Sequence, residues 1–178
     1  MRLRELLDGL PPWARDLRLN LLSALEDEAL TPVQRAGAAY ASALAEGEPR
    51  LAAALEAEAR ERGGDELVEE ARAVAAIMSM NNVLYRSRHW LGEEALRGVP
   101  ARLRMQRLGQ PRIERRDQEL IATAVSALNG CERCVTAHSQ VLVQGGLDLA
   151  RVHDAVRIAA AVRGVAVALR SAGAEEGR

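Results

Sequence analysis

Apolar residues return every three to four positions along most of this chain, and glycines, prolines and helix-capping residues cut that pattern into segments. Pro11-Pro12 precede an amphipathic stretch from Trp13 to Ala29, the first predicted helix. Thr31-Pro32 reads as an N-cap followed by proline at the first helical position, where its missing N–H is no loss. That helix ends near Gly47, and Pro49 opens another to about Arg62, stopped by Gly63-Gly64. Asp65 caps a longer segment through LVEEARAVAAIMSMNNVLYRSRHWL, with a break expected at Asn81-Asn82 and an end at Gly92.

A looser stretch with Pro100, Gly109 and Pro111 follows. Asp117 then caps a helix through ELIATAVSAL, which Asn129-Gly130 ends because both residues tolerate the left-handed conformation of a helix C-terminus. Cys131 to about Val143 forms the next helix, Gly145-Gly146 breaks it, and Asp148 caps a last long one through AVRIAAAVRGVAVAL. No segment alternates apolar and polar residues as a half-buried strand does, so the predicted fold is all-α. It occupies one domain over residues 1–178, with residues 171–178 expected to fray. A faint internal repeat lays AAIMSMNNVLYR over TAVSALNGCERC, placing Asn81 on Asn129 and Val83 on Cys131.

Composition narrows the function classes. The 178 residues, 48% hydrophobic, suffice for one core, and an abundance of Ala with no Phe favours helices packed closely through small side chains. Net charge is −1 with acids and bases interspersed, every fixed cation being Arg, so the one-sided basic surface of a nucleic-acid binder is missing. The N-terminal MRLRELLDGLPPW carries charges inside its apolar stretch, unlike a signal peptide, and the best apolar run, Ile158 to Leu169, is interrupted and too short to span a bilayer. A cytoplasmic protein with no membrane association is expected. In that reducing compartment two cysteines spaced CxxC point to metal binding or catalysis before a structural disulfide.

Those cysteines, Cys131 and Cys134, lie in GCERCVTAH with His138. On a helix the three share one face, and Cys134 and His138 form an i, i+4 pair in which the imidazole can take the thiol proton. A helix N-terminus also favours thiolate, the reactive form in disulfide exchange, and by that argument Cys131 is the lower-pKa thiol. Glu119 lies about 13 Å back along the preceding helix and His138 about 10 Å along the next, so antiparallel packing brings carboxylate and imidazole level. A Glu119–His138–Cys134 relay then becomes reasonable, the carboxylate orienting and charging the imidazole.

Two blander readings stand beside this one. Zinc needs four ligands, and besides the CxxC the chain offers only His89, His138 and His153, so no metal is expected. Inert buried cysteines are the other, against which the adjoining Glu132 and Arg133 suggest a partly exposed helix start. Glu119 by itself also reads as an ordinary first-turn acid. His89 and His153 lack thiol or acidic partners at helical spacing and read as structural or solvent-facing.

The spacing of Glu119, Cys131, Cys134 and His138 resembles the active-site signature of the alkyl hydroperoxide reductase AhpD family, within the carboxymuconolactone decarboxylase-like superfamily. The segments AVSALNGCERCVTAH, AAIMSMNNVLYRSRHWL and WARDLRLNLLSAL are similar to AhpD segments in the right order. The resemblance implies an all-helical homotrimer acting as an antioxidant thiol adaptor. Such an adaptor passes electrons from dihydrolipoyl groups on a 2-oxoacid dehydrogenase acyltransferase to an AhpC-type peroxiredoxin, with weak direct activity on alkyl hydroperoxides.

By the same resemblance Cys134 is the attacking thiol, Cys131 its partner and proton donor, and Glu119 and His138 the proton relay. No tightly bound cofactor is implied, dihydrolipoamide being the electron donor. Some members place a histidine just before the second cysteine; here Arg133 stands there, and arginine carries no protons at working pH, although it can stabilise a thiolate. A muconolactone-decarboxylating lyase, which needs no thiol pair, and a non-catalytic helical binding protein are the alternative functions.

Overall fold

The computed structural model describes residues 2–176, which form seven α-helices and two short 3-10 turns with no strand. The helices are α1 (Leu3–Asp8), α2 (Arg15–Glu26), α3 (Pro32–Glu46), α4 (Pro49–Leu91), α5 (Arg115–Leu128), α6 (Glu132–Gln144) and α7 (Leu149–Glu176). The all-α expectation holds. No helix among the described residues is long and apolar enough to cross a membrane.

Several boundaries fall where local chemistry puts them. Thr31 Oγ1 accepts from the Gln34 N–H at 3.2 Å while Gln34 Oε1 accepts from the Thr31 N–H at 3.0 Å, a reciprocal cap on α3. Gly47 ends α3 in the left-handed conformation (φ 70°), and Asp148 accepts from the Ala150 N–H at the start of α7. Gly63-Gly64 produces a kink, with Gly64 at φ 67°, ψ −165°, so that the two predicted helices run on as the arms of α4. Helix α7 continues to Glu176, well into the segment expected to fray; residues 177–178 of that segment lie outside the described residues.

Other boundaries differ from expectation. Residues Leu3–Asp8 form α1 ahead of the first predicted helix, and Trp13 sits in a 3-10 turn. No break occurs at Asn81-Asn82, because the Asn82 side chain is bonded to a neighbouring helix and does not compete for its own backbone. The internal repeat therefore aligns a mid-helix Asn81 with an Asn129 that ends α5, and the two segments differ locally. Asp117 is no cap: α5 begins two residues earlier, and the Asp117 carboxylate accepts from Gln34 Nε2 at 2.7 Å. Burial pushes the Asp117 pKa up, and the Gln34 hydrogen bond offsets part of that rise.

Helix α5 is the centre of the molecule. It packs on α3, α4, α6 and α7 and is buried on every side from Asp117 to Ser126. A helix so placed can keep polar residues only if each finds a partner. Besides Asp117, Gln118 Nε2 donates to Glu70 Oε1 at 2.9 Å, Thr123 Oγ1 donates to the Glu119 carbonyl at 2.8 Å, and Ser126 Oγ accepts from Asn82 Nδ2 at 3.2 Å. Glu70 on α4, wholly buried, also accepts from Arg107 Nη2 at 2.5 Å and from the Arg112 N–H at 2.9 Å. One carboxylate thus ties the loop between α4 and α5 to both helices.

The close approach of α3 to α4 and α5 depends on Gly37. A Cβ added there would lie 2.7 Å from Ile121 Cδ1 and 3.0 Å from Leu67 Cδ1, and both of those side chains are fully buried. Gly37→Val is therefore expected to destabilise the protein by about 1–3 kcal/mol through overpacking. Urea unfolding measures this; an unchanged midpoint would mean the three helices have slack at this point.

Candidate functional site

Both cysteines owe their place to the end of α5. Gly130 takes the left-handed conformation (φ 64°), its N–H donates to the Ala127 carbonyl at 3.0 Å, and the Cys131 N–H donates to the Ser126 carbonyl at 3.0 Å. This paired closure turns the chain sharply, with glycine at the one position that must adopt positive φ. Asn129 keeps ordinary backbone angles (φ −84°, ψ 0°), so only one of the two residues expected to be left-handed is so. Arg163 Nη1 donates to the Leu128 carbonyl at 2.7 Å and Arg86 Nη1 to the Asn129 carbonyl, covering the exposed end of α5.

Cys131 is thereby fixed at the N-cap of α6 and Cys134 in its first turn, with Cα atoms 5.3 Å apart, a span a disulfide bridges readily. The structure contains that Cys131–Cys134 disulfide. Although Glu132 and Arg133 are exposed as expected, both sulfur-bearing residues lie beneath them, at 1% and 6% exposure.

The turn also folds α6 back along α5, and this brings Glu119 level with His138. Glu119 Oε2 and His138 Nδ1 are 2.5 Å apart. Arg115, one turn earlier on α5, donates from Nε to Glu119 Oε1 at 2.7 Å. Burial alone would push the Glu119 carboxyl up; the His138 hydrogen bond, the imidazole charge and Arg115 outweigh it and hold the pKa below the usual carboxylate range. An ionised carboxylate only accepts, so His138 carries its hydrogen on Nδ1, leaving Nε2 as the basic atom of the ring.

A cavity of about 320 Å³ opens beside this couple. Met78, Asn81 and Tyr85 of α4 form one side, Met105 of the connecting loop another, and Arg133, Cys134, Ala137 and His138 of α6 a third. Cys134 borders it and Cys131 does not. A second cavity, about 340 Å³, lies on the other side of Arg133 and is lined by Arg86, His89, Trp90 and Gln140 among others, but by neither cysteine and not by Glu119.

Arg133 therefore stands as a partition. Its Nη1 lies 2.7 Å from Glu93 Oε1, and its guanidinium sits 5.5 Å from the centroid of the Tyr85 ring. The charge between the cysteines is matched by a carboxylate and held against an aromatic face. His89 does have an acidic neighbour, contrary to expectation: its Nδ1 is 3.9 Å from Glu93 Oε1, four residues on and just past the helix end at Gly92. His153 is exposed on α7. Among the described residues no group of three His, Cys, Asp or Glu could hold a metal ion.

All four residues singled out in the sequence thus lie along the α5–α6 pair, the cysteines at its turn and the Glu119–His138 couple farther along it. Arg115 and the cavity residues Met78, Asn81, Tyr85 and Met105 were missed. Arg115 was detectable as the i, i+4 partner of Glu119. Asn81 read as a helix break, and the other wall residues of α4 carried no signal, because the cavity they border is completed by Met105 and α6, distant in sequence.

A disulfide-linked CxxC pair beside a hydrogen-bonded His–Glu couple is the equipment of thiol–disulfide exchange, and it places this chain among redox-active CxxC proteins. Known sequences narrow that class. The carboxymuconolactone decarboxylase family model matches residues 95–176. Over 170 residues the chain is 53% identical to the alkyl hydroperoxide reductase AhpD of Anaeromyxobacter sp. (strain Fw109-5), covering 96% of this chain and 90% of that protein. It is 47% identical over 171 residues to the AhpD of Methylobacterium sp. (strain 4-46), covering 96% and 97%. With the AhpD of Bradyrhizobium sp. (strain ORS 278) the identity is 41% over 173 residues, covering 97% and 96%. The chain belongs to the AhpD family.

Proposed function

We propose that this protein is an antioxidant thiol–disulfide oxidoreductase that takes electrons from dihydrolipoyl groups of a 2-oxoacid dehydrogenase acyltransferase. It passes them to an AhpC-type peroxiredoxin, and it also reduces alkyl hydroperoxides directly at a low rate. The observation that carries this reading is the Cys131–Cys134 disulfide beside a His138–Glu119 couple, with Cys134 and His138 on one cavity.

In the reductive half, a dihydrolipoyl thiolate attacks Cys134 Sγ, the sulfur that borders the cavity, and Cys131 leaves as thiolate and takes a proton. The second donor thiol then closes the lipoyl disulfide and releases Cys134. In the oxidative half, His138 withdraws the Cys134 proton with Glu119 stabilising the imidazolium, and the thiolate attacks the acceptor. Cys131 completes the cycle by re-forming the disulfide. Arg133, already committed to Glu93 and Tyr85, shapes the cavity and leaves proton transfer to His138. The work belongs in a reducing compartment, the cytoplasm, with no tightly bound cofactor. The subunit is assigned to a homotrimer, for which exposed Val83, Trp90 and Leu91 at the end of α4 supply apolar surface. A muconolactone-decarboxylating role leaves the cysteine pair without a task.

Thiol titration tests the reading. Dihydrolipoamide is expected to convert the oxidised protein to the two-thiol form, and oxidised AhpC to return it to the disulfide. Failure of dihydrolipoamide to open the pair excludes the adaptor role.

A further inference from the structure

The two cavities that meet at Arg133 are successive sections of one groove between α4 and α6. On α4, Met78, Asn81 and Tyr85 border the thiol section and His89 borders the second; these residues follow one another at helical spacing and share one face. On α6, Arg133 and Ala137, one turn apart, border both sections. The Arg133 guanidinium is drawn toward Glu93 and the Tyr85 ring. Ala137 is exposed and carries only a methyl, so the groove stays open across it.

Most charges on the second section are matched, since Arg133 and His89 both face Glu93. Arg86 and Glu132 are the exceptions. Arg86, half-buried, donates through Nη1 to the Asn129 carbonyl and lies 5.3 Å from the centroid of the Trp90 ring, with no carboxylate partner among the described residues. Glu132, exposed, has no cation partner among them either. The two line the same cavity of about 340 Å³ without pairing with each other. A cation and an anion held apart in this way favour a neutral guest that offers an acceptor to the one and a donor to the other. A carboxylate drawn to Arg86 is repelled by Glu132. An amide satisfies both.

We propose that the second cavity is a binding subsite for the acyl-amide arm of the dihydrolipoyl donor, with the dithiol at Cys134, the chain across Ala137 and the amide between Arg86 and Glu132. This rests on the reading of dihydrolipoyl groups as the electron source. Such a donor is an octanoyl chain with its thiols at one end and an amide at the other. From Cys134 to Gln140, which lines the second cavity, α6 rises about 9 Å, comparable with the reach of that chain.

The arm's carbonyl accepts from Arg86, and its N–H donates to Glu132. Neither residue touches the reacting sulfurs, so the subsite selects the donor and leaves bond exchange to Cys134 and Cys131. An alkyl hydroperoxide, which has no amide, needs only the thiol section.

The test uses the full-length oxidised protein and two donors with the same dithiol, dihydrolipoamide and dihydrolipoate, which differ only in carrying an amide or a carboxylate at the far end. The measured quantity is the ratio of their rate constants for opening the Cys131–Cys134 disulfide, amide over acid, at neutral pH. Because the ratio is taken within one protein, any change in Cys134 reactivity or in the folded fraction cancels. Glu132→Gln removes the repulsion felt by the carboxylate and is expected to lower the ratio roughly two- to fivefold, the range of a partly exposed charge pair. Arg86→Met removes the attraction and is expected to raise the ratio by a similar factor. A ratio unchanged in either variant, or moved the same way in both, overturns this proposal alone. Failure of dihydrolipoamide to open the wild-type disulfide overturns the electron-donor reading and the subsite together.

Discussion

Cys134→Ser is expected to bring hydroperoxide-dependent oxidation of dihydrolipoamide to background, with or without AhpC. A serine hydroxyl in the first turn of α6 keeps the size and the place of the thiol but cannot ionise at working pH or form the mixed disulfide. The matching Cys131→Ser variant separates the two sulfurs. It retains the cavity-facing thiol, so on treatment with a small disulfide such as oxidised lipoamide it is expected to be trapped as a mixed disulfide, visible as a mass increase that reductant removes. If Cys134→Ser forms that adduct and Cys131→Ser does not, the roles of the two cysteines are reversed. The argument for Cys131 from the helix N-terminus would then have outweighed the histidine at i, i+4. The structure weighs against that outcome by access: Cys134 borders the cavity and Cys131 lies behind it.

Glu119→Gln is expected to lower kcat/KM by about 10²–10⁴-fold, the range over which a positioned acid–base group contributes. Glutamine can still accept a hydrogen bond from His138 Nδ1, but it no longer balances an imidazolium, so the proton is taken from Cys134 less readily and the thiol pKa rises. The variant's rate should recover in part at higher pH, where hydroxide does what the imidazole no longer does. A pH–rate profile identical to the wild type removes Glu119 from the mechanism. Stability carries an independent signature of the same group. Its folded pKa lies below the ordinary carboxylate value, so its stabilising contribution is complete above that ordinary value and is lost as pH falls through the folded one. Wild type and Glu119→Gln should therefore differ most in urea midpoint near neutral pH and converge in acid. The variant also leaves Arg115 without its partner, which adds to the neutral-pH difference.

The meeting of Glu119 with His138 was legible in the sequence because both distances run along helices from one turn. Counting residues back from Leu128 and forward from Cys131 needs only the helical rise and a stop that reverses direction, and Asn129-Gly130 announces that stop. Thr31-Pro32, Gly47 and Asp148 were readable for the same reason, since a cap involves only near neighbours. Asn82 and Asp117 were misread because each is a capping residue type whose partner is remote. Ser126 and Asn129 hold the first and Gln34 the second, and no window of adjacent residues contains those pairs. The cavity was illegible on the same ground. Its thiol face is written in one turn of α6, but the wall opposite comes from α4 and from the irregular loop around Met105, which has no periodicity to read.

Glu70 gives that loop a further meaning. Met105 faces the cavity; two residues on, Arg107 grips Glu70, and Glu70 in turn holds Gln118, the residue beside Glu119. Glu119→Gln and a Glu70→Gln change would therefore act on neighbouring residues of α5 by different routes: the first removes the partner of His138, the second frees the loop that carries Met105 together with the Gln118 side chain.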